Sequence, residues 1–105
     1  MKTGILYLSI YITLFLSCSS LKKTTMATMY DGSSYDKAIV IHEDHENQGI
    51  ADEYAWIRNR YPGSKTKSQS LNYYKNQPYD IIHIVTDDGK EVAVYFDISN
   101  FYGKF

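Results

Sequence analysis

The stretch Tyr79-Asp80-Ile81-Ile82-His83-Ile84-Val85-Thr86-Asp87-Asp88-Gly89-Lys90-Glu91-Val92-Ala93-Val94-Tyr95-Phe96-Asp97-Ile98 decides the fold of this chain. Its two halves are rich in β-branched and aromatic residues, and Asp87-Asp88-Gly89-Lys90 between them has the composition of a tight turn, with Gly89 free to take positive φ. The pattern predicts a β-hairpin. In the returning half Val92, Val94, Phe96 and Ile98 alternate with Ala93, Tyr95 and Asp97, so the first set forms a core face and the second faces away.

Working outward, Asn76-Gln77-Pro78 turns the chain, and Thr66 to Tyr74 shows the polar alternation of a further strand. Pro62-Gly63 ends a helix expected from about Gly49 to Tyr61 and capped by Asn47, because Ile50, Tyr54, Ile57 and Tyr61 recur on one face at helical spacing. Ahead of it, Ala38-Ile39-Val40-Ile41 is a short apolar run between Asp31-Gly32-Ser33-Ser34 and a charged segment, which reads as a buried strand. The order β-α-β-β-β predicts an α+β domain of two layers over 31–105, an antiparallel sheet packed by one helix. A stretch of that length holds one small core and no second domain.

The beginning of the chain carries a different signal. Lys2 precedes an uncharged apolar run from Gly4 to Leu16, and Ser17-Cys18-Ser19-Ser20 follows with small residues. At about 1.5 Å per residue the run spans roughly 20 Å, short of the ~30 Å of a hydrocarbon core, so it reads as a signal segment over 1–17 rather than a membrane span. Phe15-Leu16-Ser17-Cys18 resembles a lipobox, with the small Ser17 directly before the cysteine; Phe15 and Leu16 follow a looser form than the strict aliphatic-small pair. The chain thus resembles small envelope lipoproteins of Bacteroidota-like bacteria. That resemblance implies that Cys18 becomes the mature N-terminus and carries the acyl chains, palmitate among them, that anchor it in a membrane, in the outer membrane or facing the periplasm. Residues 18–30 are polar, small and without a periodic apolar face, and read as a tether between lipid and domain.

Cys18 is the only cysteine of the chain, so an intrachain disulfide and a cysteine nucleophile within the domain are both excluded. The formal net charge of −1 offers nothing to a polyanion, and no nucleic-acid partner is expected. The charges are segregated, however. Asp31 to Glu53 holds seven acids and one lysine, whereas Tyr54 to Tyr79 holds five bases and no acid, a distribution that can steer an oppositely charged partner.

Catalytic signatures are missing. Gly63-Ser64-Lys65-Thr66 lacks the preceding glycine of a phosphate loop and follows a helix, and His83 stands alone in an apolar strand. The metal-type constellation is His42-Glu43-Asp44-His45-Glu46, in which His42, His45 and Glu46 supply imidazole and carboxylate at short spacing. Its two histidines are separated by two residues ahead of the helix, not placed on the helical His-Glu-x-x-His pattern of zinc proteases. A divalent-metal protein or metal-dependent enzyme is therefore the alternative function, and the leading expectation involves no cofactor.

Aromatic residues are in surplus, since only Tyr7 and Tyr11 of the eleven tyrosines precede Cys18. Tyrosine, tryptophan and arginine are the usual anchors of binding surfaces, so Trp56, Arg58, Arg60, Tyr73, Tyr74 and Tyr79 are the candidate partner-binding residues. On the helical wheel Trp56 points away from the Ile50/Tyr54/Ile57 stripe, which leaves it either exposed or covered by the C-terminal Phe101-Tyr102-Gly103-Lys104-Phe105. The function expected is that of a membrane-anchored, non-enzymatic protein-interaction module, of accessory or immunity type.

Overall fold

The chain is described by a computed structural model over residues 29–105; the signal segment 1–17, Cys18 and the tether up to residue 28 lie outside the described residues. Five elements follow in order: β1 (Ile39–Val40), α1 (Glu46–Arg60), β2 (Lys65–Tyr74), β3 (Gln77–Val85) and β4 (Glu91–Asp97). They form the expected α+β architecture, one helix on a four-stranded sheet of order β1-β4-β3-β2.

The sheet is mixed, not antiparallel as the sequence suggests. β2, β3 and β4 form an antiparallel meander, but β1 runs parallel to β4, with Ile39 opposite Phe96 and Val40 opposite Asp97. Chain direction explains this. α1 returns the chain across one face, so β1 and β2 point the same way; two hairpins later β4 points that way too, and β1 docks on β4 at the far edge.

The hairpin at the centre of the sequence forms as expected. Thr86 accepts from the Gly89 N–H at 2.9 Å and donates to the Lys90 carbonyl at 2.8 Å, while Gly89 takes φ +86°. The other turn begins one residue earlier than Asn76-Gln77-Pro78 and ends before Gln77. Lys75 and Asn76 both adopt positive φ, 51° and 64°, as the two central residues of a two-residue hairpin, and Gln77 and Pro78 already belong to β3.

The core lies between α1 and the sheet. Ile82 and Ile84 of β3, Val94 and Phe96 of β4, and Ile98 just beyond it meet Ile41, Ile57 and Phe101, each contributing roughly 1.5–3 kcal/mol by burial. Two corrections to the helix follow from this packing. α1 begins at Glu46 with His45 at the N-cap position, and Asn47 lies inside it. No side chain caps that end; the C-terminal segment does so instead, the Lys104 carbonyl accepting the Glu46 N–H at 2.8 Å. The same segment lays the buried Phe101 ring on Gly49, the one helical position where a missing side chain leaves room for it.

The other face of the sheet carries Tyr79 and Tyr95. Tyr35, from the loop before β1, packs over them edge-on at 5.1 and 4.9 Å and stacks on Tyr74 at 4.3 Å. Beside this cluster Tyr95 donates its N–H to the Gly32 carbonyl at 2.7 Å, so the Asp31–Tyr35 loop is fastened to β4.

Candidate recognition surface

The six aromatic and arginine residues singled out in the sequence separate into four places. Tyr74 and Tyr79 belong to the Tyr35 cluster, Tyr79 being buried; their rings hold the loop before β1 and form no exposed binding set. Tyr73 lies on the outer strand β2, 60% exposed and edge-on to Tyr102 at 6.1 Å. Arg58 and Arg60 are exposed on the last turn of α1.

Trp56 takes neither of the two positions expected for it. Its indole stands edge-on to Phe96 at 5.8 Å and to Tyr61 at 6.3 Å, so it closes one side of the core while part of the ring stays accessible. The C-terminal segment covers Gly49 instead, two turns away. The accessible part of Trp56 floors a groove of about 440 Å³ lined by Tyr30, Ile39, Val40 and His42. Asp31, Asn59 and Arg60 line its continuation along Trp56.

This groove runs between α1 and the β1 edge of the sheet, which has no further strand beside it among the described residues. Ile41 donates its N–H to Asp97 of β4, and peptide groups alternate in direction along a strand. Val40, between Ile39 and Ile41, therefore turns its N–H and C=O outward, beside an exposed valine side chain. A partly buried tryptophan, a tyrosine, an arginine and outward-facing backbone groups together can hold an apolar side chain and an extended segment of a partner.

The His42–Glu46 segment does not assemble as a metal centre: among the described residues no three His, Cys, Asp or Glu side chains converge on a common point. His42 faces the Trp56 groove, while the exposed His45 bonds Asp44 at 2.8 Å, and that imidazole holds the Asp44 carboxyl below its ordinary range. Glu43 lies against Asp52, whose carboxyl pushes its pKa up. Glu46 has one buried carboxyl oxygen without a hydrogen-bond partner. His83 is exposed on the face away from α1, beside the Lys67–Glu91 ion pair and opposite Ser68 of β2.

The chemistry that sequence reading passed over is Glu53. It is 0% exposed at the centre of α1, and among the described residues no donor reaches either carboxyl oxygen. The group facing it is the Asp80 carboxyl of β3, itself 7% exposed. Two carboxyls can share a hydrogen bond only if one keeps its proton. Burial first, and then Asp80, push the Glu53 pKa up to about 10, so the proton resides on Glu53 at neutral pH. Both side chains are buried, which makes the pair a neutralised acid locked into the helix–sheet contact. The pattern that could have revealed it is the spacing Gly49, Glu53, Ile57 on the buried stripe of α1, together with Asp80 in phase with Ile82 and Ile84.

Among the described residues no helix is long and apolar enough to cross a membrane. No protein-family model, curated protein or solved structure matches the chain.

Proposed function

We propose that this protein is a lipid-anchored module of the bacterial cell envelope, held at the membrane through Cys18, that binds a protein partner through the groove around Trp56. It acts by recognition, as an accessory or immunity-type protein, without a cofactor. The observation that carries this reading is the groove itself, where Trp56, Tyr30 and Arg60 lie beside the outward-facing backbone of Val40. The anchor rests on Phe15-Leu16-Ser17-Cys18, and the divalent-metal alternative is not favoured by the scattered placement of His42, His45 and Glu46.

Trp56→Ala is a poor probe because the indole also supports Phe96. Val40→Asp and Arg60→Glu alter exposed positions instead. Affinity capture of the full chain from detergent-solubilised envelopes is expected to recover one stoichiometric partner that both variants lose. Equal recovery by wild type and variants, or no partner at all, refutes the reading. Intact-mass comparison of wild type with Cys18→Ser tests the anchor separately: mature protein without added acyl mass overturns it.

A further inference from the structure

β2 forms the opposite edge of the sheet from the Trp56 groove, and one side of its backbone has no strand beside it among the described residues. Natural edge strands are guarded by bulges and by lysines. The start of β2 has both, in Lys65, Lys67 and the register shift between Thr66 and Ser68. From Ser68 to Tyr74 the guards stop. Ser68-Gln69-Ser70-Leu71-Asn72-Tyr73-Tyr74 has no charge, glycine or proline, and it keeps unbroken register with β3 from Ser68 opposite His83 to Tyr74 opposite Gln77.

The neighbouring lysines do not cover this stretch. Lys67 reaches inward across β3 to bond Glu91 of β4, and the Lys75 ammonium sits 5.3 Å from the centre of the Tyr74 ring. Leu71 and Tyr73 share the helix-side face with Gln69, whose side chain accepts the Tyr54 hydroxyl of α1 at 2.9 Å. Both stay exposed, 43% and 60%, so an apolar ledge borders the open edge.

We propose that Ser68–Tyr74 accepts an extended segment of another protein as a fifth strand, and that this segment carries carboxylates at both ends with alternating apolar residues between them. Main-chain hydrogen bonds to the free edge hold the strand. Its apolar side chains lie against Leu71 and Tyr73, and polar ones fall beside Ser70 and Asn72. Charge selects this occupant over a second copy of the chain. Lys65 and Lys75 bracket the free stretch, which suits acids at the two ends of an added strand. Any two-fold antiparallel pairing that uses the whole stretch instead brings Lys75 of one copy alongside the Lys65–Lys67 end of the other, and does so twice; like charges placed opposite each other oppose it. The inference does not depend on the Trp56 groove, since the two surfaces occupy opposite edges of the sheet.

The probe is a synthetic peptide the length of Ser68–Tyr74, of alternating valine and threonine, with one glutamate added at each end. It is added to the full chain in detergent micelles, and amide hydrogen exchange is followed by mass spectrometry. Protection is expected to rise across Ser68–Tyr74 and not around Val40. The apparent Kd should be about tenfold lower than for the same peptide ended by lysines, with the difference shrinking as salt is added. Leu71→Lys should abolish the protection; if that variant shifts the unfolding midpoint, Tyr73→Lys takes its place. Equal affinity for the two peptides, or protection confined to the Val40 edge, overturns the proposal. Concentration-dependent protection of β2 without peptide also overturns it, in favour of a second copy.

Discussion

Replacing Glu53 with glutamine should remove most of the pH dependence of folding between weakly acidic and alkaline conditions. In the unfolded chain this carboxyl titrates near its ordinary value of 4.5, and in the fold near 10. Below about pH 4.5 both states hold the proton and the folded state is not penalised. As pH rises, the unfolded chain releases a proton that the folded chain keeps, so stability falls until the folded group itself ionises. One proton corresponds to a slope of about 1.4 kcal/mol per pH unit, or roughly 2.7 kcal/mol between about pH 5.5 and about pH 7.5. Against the roughly 5 kcal/mol typical of a domain this small, that is a large share. Glutamine keeps the shape and carries no charge at any of these pH values. Trp56 is the only tryptophan and touches the core, so its fluorescence reports urea unfolding directly. The wild-type midpoint should fall steadily with pH while that of Glu53→Gln stays nearly level, the gap widening by roughly 2.7 kcal/mol over that interval. Asp80→Asn removes the facing charge but leaves the burial, so the slope should persist over a narrower pH range. Parallel profiles for wild type and Glu53→Gln, or a gap that closes as pH rises, would refute the assignment of the proton to Glu53.

Three further outcomes can be measured by the same unfolding assay. Gly49→Ala gains about 1 kcal/mol of helix propensity, but its Cβ would lie 2.3 Å from the Phe101 ring, which is 1% exposed and has nowhere to withdraw. Overpacking of roughly 1–3 kcal/mol should prevail, and a net loss of about 1 kcal/mol is expected. Gly89→Ala meets no atom within 4 Å, so its expected loss of roughly 1–2 kcal/mol measures backbone strain at φ +86° alone. Tyr35→Leu keeps apolar bulk but loses one stacked and two edge-on ring contacts, and should lower stability by about 1–2 kcal/mol while raising amide exchange in the Asp31–Lys37 loop.

The hairpin was legible because two independent signals agree there: strands that alternate apolar residues, and a turn whose glycine must take positive φ. The direction of β1 was not legible. A strand of two residues, Ile39–Val40, has too few positions to specify a partner, and its place beside β4 depends on where α1 leaves it room. The end of α1 was obscured for a related reason. Local rules look for a capping side chain such as Asn47, whereas the fold uses the Lys104 carbonyl, more than fifty residues away in the chain. The Lys75-Asn76 turn was misplaced because Pro78 is the louder signal. Proline tolerates the edge of β3 next to the turn, and the two residues before Gln77 bend the chain with side chains less familiar in that role than glycine.

Reading aromatic residues by type placed Trp56, Tyr73, Tyr74 and Tyr79 in one category, although only position in three dimensions separates a ring that fastens a loop from one that floors a groove. Tyr74 and Tyr79 sit on the same strand pair as Tyr73, yet strand alternation sends Tyr74 toward Tyr35 and Tyr73 toward Tyr102. The period of two therefore held the answer for these three, once the register of β2 against β3 was fixed. Glu53 illustrates the opposite bias. A charged residue is read as solvent-facing by default, and a helical stripe is assigned from its apolar members, so Ile50, Tyr54, Ile57 and Tyr61 defined the face and Glu53 was passed over. Yet Glu53 lies four residues after Gly49 and four before Ile57, both buried, and Asp80 keeps phase with Ile82 and Ile84. An acid held in phase with a core stripe on each of two packed elements has two physical outcomes: it is paired with a cation, or it keeps its proton. No lysine or arginine lies within four residues of Glu53 on α1; Arg58, one position beyond, is on the exposed side, and none lies on β3. The neutral acid is what remains, and the pH profile of Glu53→Gln is its direct measure.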